Sequence, residues 1–158
     1  MYDQILLPLD GSKVGETALT AVEDLVAKLV PHHKVEITLF QAVPAMAYYV
    51  VAGEASVPVP YTEQELQPII QKTEDYLSSV AEGLRNKGAT VNTRVSAGKA
   101  ADEILKVAEE INADLIAMST HGRSGLSRWA LGSVTDKILR AGRWPMLIVR
   151  APKEGEGL

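Results

Sequence analysis

The chain has 158 residues and no cysteine, which suits one domain and excludes disulfides and thiolate chemistry. A net charge of −4 argues against general nucleic-acid binding, which usually needs a basic face. No apolar run reaches the roughly 18 residues that cross a bilayer and no signal-peptide pattern is visible, so we expect a cytoplasmic protein that binds neither nucleic acid nor membrane.

The first half of the chain predicts two strands and a helix. Residues 5–9 form a nearly continuous apolar run, typical of a strand buried on both faces. Apolar residues at steps of three and four predict an amphipathic helix over residues 18–29, and residues 35–40 predict the second strand. Residues 44–61 contain prolines and show no clear period, which predicts a long irregular loop.

The second predicted helix has an apolar face over residues 66–84. Thr62 and Glu65 fit a capping box at its start. However, Pro68 would break a helix that begins there. The helix is therefore expected either to start near Gln67 or to be kinked.

The second half of the chain continues the alternation of strands and helices. The predicted elements are a strand over 90–95, a helix over 101–111, a strand over 114–118, a helix from Gly132 to about Gly142 and a strand over 146–150. Such alternation implies a parallel sheet with helices on both faces. We expect one domain over residues 1–150 and a flexible tail over residues 151–158.

A stretch spotted with glycine and serine, residues 118–139, links the fourth strand to the fourth helix, and no acidic residue lies between Leu115 and Thr135. Glycine lets the backbone approach a ligand, and the first N–H groups of a helix carry the positive end of its dipole. Phosphate is the natural ligand of such a place. The alternative is an ordinary connection in which Ser133 and Asp136 form a plain helix start.

The sequence STHG over residues 119–122, followed after nine residues by Gly132 and Ser133, resembles the nucleotide-binding signature of the universal stress protein family. The family pattern is glycine, two residues, glycine, nine residues, glycine, then serine or threonine. Ser119 replaces the first glycine, so we expect weaker support for binding rather than loss of the site. The resemblance covers nearly the whole chain, including LDGS over residues 9–12.

The resemblance implies a Rossmann-like α/β fold of the adenine nucleotide alpha hydrolase type, an open five-stranded parallel sheet with strand order 3-2-1-4-5. It also implies binding of ATP or another adenine nucleotide, with Mg²⁺ arriving on the phosphates rather than on protein ligands alone. The implied phosphate contacts are Gly122, Gly132, Ser133, Val134 and Thr135, and the implied adenosine contacts are Pro8, Asp10, Ala42, Gly98, Met118 and Ser119.

Within this set, Asp10 would accept a hydrogen bond from the adenine amino group, with Pro8 and Ala42 beside the base. Gly98 would lie near the ribose. The alternative for Asp10 is a cap on a turn or on the first helix, since caps are common uses of aspartate.

The resemblance further implies a homodimer joined through the edge strand from Met146 to Val149, acting as a nucleotide sensor in stress response on a further protein partner. No histidine or carboxylate is clearly placed to activate water, so we assign no catalytic residue and expect at most slow ATP hydrolysis. The alternatives are a nucleotide-free dimeric interaction module and a weak ATP hydrolase or adenylyl-transfer enzyme.

Overall fold

Strands and helices alternate along the chain in the computed structural model, which describes residues 2–29, 34–51, 55–120 and 131–151. The strands are β1 (Gln4–Pro8), β2 (Glu36–Val43), β3 (Met46–Val51), β4 (Ala55–Pro60), β5 (Thr90–Ala97), β6 (Leu115–Thr120) and β7 (Met146–Arg150). The helices are α1 (Thr17–Leu29), α2 (Glu63–Arg85), α3 (Ala100–Glu110) and α4 (Ser133–Ala141). None of these helices combines the length and the apolar character of a membrane span.

The main sheet has five parallel strands in the order β5-β2-β1-β6-β7. These are the third, second, first, fourth and fifth strands predicted from the sequence, so the predicted fold class and strand order are confirmed. The central strand pairs on both sides: Ile5 lies opposite Ile37 of β2 and opposite Leu115 of β6.

Two layers of helices cover the sheet, because alternate side chains of each strand point to opposite faces. On one face Ile5 and Leu7 pack in a cluster with residues of α1 and α2, among them Leu77. On the other face Leu6 packs in a second cluster with residues of α3 and α4, among them Ile104. The core is therefore divided into two halves by the sheet.

The segment over residues 44–61 is a β-hairpin, so the prediction of an irregular loop is wrong. β3 and β4 pair antiparallel in a separate two-stranded sheet. The N–H of Tyr61 donates to the carbonyl of Ala45 at 3.1 Å. The backbone N–H and C=O groups of the odd-numbered residues of β4 therefore point toward β3. Pro58 and Pro60 have the other parity, and their missing N–H groups fall on the outer edge, where the ladder needs no donor.

The second helix starts directly after Thr62, so a start near Gln67 is wrong. The side chains and backbones of Thr62 and Glu65 form the complete capping box, with the Thr62 N–H donating to Glu65 Oε2 at 2.9 Å. Pro68 lies inside the helix and removes the donor that would reach the Gln64 carbonyl. Both residues are exposed, so water can pair with that carbonyl. The helix therefore begins at the capping box and continues through the proline.

The capping box predicts an altered titration. The hydrogen bonds from the backbone and the side chain of Thr62 lower the pKa of the Glu65 carboxyl. Because this pKa is lower in the folded protein than in the unfolded chain, the resulting stabilisation is complete above the unfolded pKa, about 4.3, and disappears as the pH falls through the folded pKa.

Thr62→Ala is expected to raise the pKa of Glu65 part of the way to its ordinary value, because the backbone N–H remains after the hydroxyl is lost. Carboxyl NMR titration measures this. Thr62→Ser keeps the hydroxyl and is the control, so it should keep the low pKa. An unchanged pKa in Thr62→Ala would contradict the capping role of the hydroxyl.

Candidate functional site

A cavity of about 280 Å³ lies at the carboxyl edge of the main sheet. It opens where β1 and β6 end side by side. The chain continues from β1 toward β2 on one side and returns to β6 on the other, so this is the point at which the strand order reverses. Ligands of open parallel sheets bind at such switch points.

Nine of the eleven residues predicted from the sequence line this cavity, and the other two are Gly98 and Gly122. The nine are Pro8, Asp10, Ala42, Met118, Ser119, Gly132, Ser133, Val134 and Thr135. Gly122 lies outside the described residues, so the structure does not bear on it. The motif residues that the structure describes thus meet in one place, although they come from distant parts of the chain.

Gly98 stands apart from the cavity wall. Its N–H donates to the Val43 carbonyl at 2.9 Å, which joins the ends of β5 and β2. A Cβ at this position would lie 2.8 Å from both Cγ and Oε1 of Glu103. A side chain at this position would therefore require the flexible Glu103 side chain of α3 to shift.

The sequence analysis missed further cavity residues. They are Leu9, Gly15, Phe40, Ala100, Ile104, Thr120 and Leu131. Phe40 shares a strand face with Ala42, so the two-residue period of β2 could have identified it. Gly15 carries no comparable signal, because its place in the wall depends on how the loop after β1 folds back.

The first turn of α4 forms the polar end of the cavity. Gly132 is the N-cap residue, with φ 82° and ψ 148°, and among the described residues no side chain caps the helix. The first intrahelical bond in this turn runs from the Asp136 N–H to the Gly132 carbonyl, at 2.9 Å. The N–H groups of the preceding helical residues, Ser133, Val134 and Thr135, therefore lack helix partners and can bind an anion.

A helix start in which Ser133 is the cap and Asp136 follows three residues later is wrong. Ser133 is the first helical residue and not the cap. Asp136 accepts a hydrogen bond from Arg140 Nε at 2.7 Å, so an ion pair on the helix surface neutralises the acid in this turn. The Asp136 carboxylate consequently adds little repulsion to an anion bound at the N-terminus of α4.

Asp10 lies on the loop after β1. Its Oδ1 accepts hydrogen bonds from the N–H of Ser12 at 2.9 Å and from the hydroxyl of Ser12 at 2.6 Å. The aspartate therefore caps a turn, as one of the two interpretations of the sequence expected; it does not cap α1, which begins only at Thr17. Within the described part of the chain Oδ2 receives no hydrogen bond, so it can still accept one.

Tyr76 of α2 contacts the same loop. Its hydroxyl donates to Glu16 Oε1 at 2.9 Å. Burial raises the pKa of this hydroxyl, and the hydrogen bond and negative charge of Glu16, with a smaller effect of Asp10, raise it further. The phenol stays protonated at neutral pH and keeps donating, which ties α2 to the loop that carries Asp10.

Ser119 lies near the end of β6 and contacts the start of α1. Its hydroxyl donates to the Gly15 carbonyl at 2.8 Å and accepts from the Ala18 N–H at 2.7 Å. Ala18 is the second residue of α1, and its N–H is one of the donors that a helix cannot satisfy itself. Ser119 thus caps α1 from a distant strand.

The cavity combines two kinds of wall. Phe40, Ala42 and Met118 make one part apolar, whereas Ser133 and Thr135 add hydroxyls to the helix N-terminus in the other. A ligand that matches both has a flat apolar portion and an anionic portion. Groups of three or more His, Asp or Glu side chains that could hold a metal ion do not occur in the described ranges.

An open parallel sheet with its cavity at the switch point defines the class of doubly wound α/β proteins. Within this class, the model of the universal stress protein family matches residues 1–150. The chain therefore belongs to the universal stress protein family, and the resemblance seen in its sequence is confirmed.

Relatives in archaea support this assignment. Universal stress protein MJ0531 of Methanocaldococcus jannaschii is 27% identical over 158 residues, which cover 98% of this chain and 85% of the relative. Universal stress protein MJ0577 of the same organism is 25% identical over 155 residues, 95% of this chain and 96% of the relative. The solved structure of MJ0577 matches with a TM-score of 0.72, over 97% of this chain and 99% of that one.

Two further solved structures of the same fold contain a nucleotide. One is a universal stress protein in complex with cAMP, with a TM-score of 0.64 and 21% identity over 96% of this chain and 98% of that one. The other is a family protein from Arabidopsis thaliana with AMP bound, with a TM-score of 0.62 and 11% identity over 98% of this chain and 95% of that one.

The contact between Gly15 and Asp10 generates a prediction. A Cβ on residue 15 would lie 2.4 Å from Asp10 Oδ1 and 3.3 Å from the Ser12 carbonyl oxygen. Gly15→Ala should therefore displace the Asp10 carboxylate, break its bonds to Ser12 and lower the free energy of unfolding by about 1 kcal/mol. Urea unfolding measures this change.

Gly83→Ala is the matched control. Gly83 lies in α2 with nothing within 4 Å of its Cβ position, so alanine should raise the free energy of unfolding by up to about 1 kcal/mol. Equal stability changes in the two variants would show that the loop tolerates a side chain at residue 15 and would contradict the packing described above.

Proposed function

We propose that the cavity binds an adenine nucleotide, ATP foremost, and that the protein is a cytoplasmic dimeric sensor of that nucleotide in stress response. The observation that carries this proposal is the pairing of an apolar cleft with the uncapped N-terminus of α4. Adenosine matches the apolar cleft, and a polyphosphate matches the N-terminus of α4.

Backbone N–H groups would form most of the phosphate-binding end of the cavity. The unpaired N–H groups of Ser133, Val134 and Thr135 would donate to phosphate oxygens, and the two hydroxyls there add donors. Gly132 has a positive φ, and no atom of the described residues lies within 4 Å of its Cβ position. A side chain at that position would be strained and would occupy the space in front of the helix, which a phosphate group would fill.

At the other end, Asp10 Oδ2 would accept a hydrogen bond from the adenine amino group, while Pro8 and Ala42 lie beside the base and Met118 below it. The cAMP and AMP held by the two family structures support an adenine ligand here. Mg²⁺ would arrive on the phosphates, held largely by phosphate oxygens and water.

Binding, and at most slow hydrolysis, is the activity that these residues support. Asp10 is the carboxylate among the described lining residues, and its proposed place is beside the base, far from the phosphates. General-base catalysis needs an acceptor within hydrogen-bond reach of the attacking water. The described wall offers hydroxyls and N–H groups beside α4, which bind an anion but do not activate water.

The dimer would form along β7. This strand pairs with β6, and the Ala151 N–H donates to the Thr120 carbonyl at 3.0 Å, so odd-numbered residues direct their N–H groups inward. The N–H of Ile148 therefore points to the outer edge, where a second copy could pair with it.

Ile148→Pro should weaken or abolish the dimer, because it removes an outward donor while leaving the bonds to β6. Sedimentation velocity measures the oligomeric state, and circular dichroism checks the fold. Ile148→Val keeps the donor and is the control. A folded proline variant that dimerises like the control would exclude this edge as the interface.

The nucleotide is tested on protein purified without added nucleotide. Mass spectrometry of small molecules released on denaturation should detect an adenine nucleotide, and calorimetry should show ATP binding to stripped protein. Gly132→Asp, which brings a negative charge to the phosphate end, should weaken ATP binding at least about tenfold.

Gly88→Asp is the matched control, since Gly88 also has a positive φ, 90° against 82° at Gly132, and open space around its Cβ position. It lies beyond α2, outside the cavity wall, so it should bind ATP like the unmodified protein. Absence of binding to ATP, ADP, AMP and cyclic nucleotides, with or without Mg²⁺, would overturn the proposal in favour of a nucleotide-free interaction module.

A further inference from the structure

A continuous chain of hydrogen bonds joins Ser119 to Asp10. The Ser119 hydroxyl donates to the Gly15 carbonyl at 2.8 Å. The Gly15 N–H donates to Ser12 Oγ at 3.0 Å. The Ser12 hydroxyl in turn donates to Asp10 Oδ1 at 2.6 Å. Each group uses its donor and its acceptor in one direction, so the hydrogen bonds link β6 to the Asp10 carboxylate in the cavity wall.

The Ser119 end of this chain is fixed to regular structure on both sides. Ser119 belongs to β6, opposite Val149 of β7, and its oxygen accepts the Ala18 N–H of α1 at 2.7 Å. A strand and a helix therefore determine where the Gly15 carbonyl lies. The loop after β1 takes its position from that anchor.

The Asp10 end depends on the same anchor, because the carboxylate packs directly on Gly15. The position that a Cβ of residue 15 would take is 2.4 Å from Asp10 Oδ1, so the carboxylate lies against the Gly15 backbone. Asp10 is exposed, and a solvated carboxylate without fixed partners distributes among rotamers. Its single orientation here comes from Ser12 and Gly15.

The hydroxyl of Ser119 is the group that the family signature lacks, since a glycine occupies this place in the pattern. Glycine has no side chain and can make neither the bond to Gly15 nor the bond to Ala18. The replacement therefore adds two hydrogen bonds between the cavity floor and the loop.

We propose that Ser119 is a positioning residue for the Asp10 carboxylate, and that through Asp10 it sets the preference of the site for a base with an exocyclic amino group. The inference depends on the proposed nucleotide-binding function and deepens it. Oδ1 is held by the chain of bonds, which leaves Oδ2 directed to the amino group of the base.

The test compares two nucleotides that differ at one group. ATP carries the amino group, whereas purine riboside triphosphate carries hydrogen in its place and has the same sugar and phosphates. Calorimetry on stripped protein should show that Ser119→Ala weakens ATP binding roughly five- to tenfold, the effect of one ordinary hydrogen bond, and changes the affinity for purine riboside triphosphate less than about twofold.

Two variants separate positioning from general support of the fold. Ser119→Thr keeps the hydroxyl and should restore most of the ATP affinity lost in Ser119→Ala. In an Asp10→Ala background, Ser119→Ala should have no further effect on ATP binding, because the group that it positions is gone.

The outcomes distinguish this inference from the proposed function. Equal losses for the two nucleotides, or full ATP affinity in Ser119→Ala, would overturn the positioning role and leave nucleotide binding intact. A persistent effect in the Asp10→Ala background would overturn it equally. Failure of the unmodified protein to bind either nucleotide would overturn the proposed function, and this inference with it.

Discussion

The fold depends on the burial of β1 from both sides. Ile5, Leu6 and Leu7 have no exposed surface, and successive side chains of a strand point to opposite faces, so neither face of this strand can meet water. Two helical layers and two neighbouring strands satisfy that requirement. Once β1 lies in the centre, the strand order must reverse beside it, and the reversal opens the cleft that receives Asp10 from one side and Ser119 from the other.

Much of this architecture could be predicted from short-range pattern. The run over residues 5–9 and the three- and four-residue steps of the helices have a period that a few neighbouring residues reveal. The hairpin was missed because β4 carries Pro58 and Pro60, which normally argue against a strand. They are tolerated because both face the unpaired edge, and that edge is fixed only by pairing with β3. The start of α2 was left open between two alternatives, because the capping box of Thr62 and Glu65 predicts an early start whereas Pro68 predicts a later one.

The candidate site was predictable where a motif names its residues, as at Gly132 and Ser133, and unpredictable where the fold alone creates the contact. In the sequence, Ser119 is visible only as a serine at a position where the family pattern has glycine. Its bonds to Gly15 and Ala18 connect residues 104 and 101 positions apart, and spacing along the chain contains no information about them. Asp10 shows a related limit: the sequence left a turn cap and a ligand acceptor as alternatives, yet one oxygen caps the turn while the other receives no hydrogen bond from the described residues.

The strand order also has a consequence for synthesis on the ribosome. β1 is made first, and β2 can cover one of its edges about 30 residues later, but β6 begins only at Leu115. At roughly 5–20 residues per second, the second edge of β1 waits on the order of 5–20 s for its partner. During that time the nascent chain exposes one of its most apolar segments as an open strand edge.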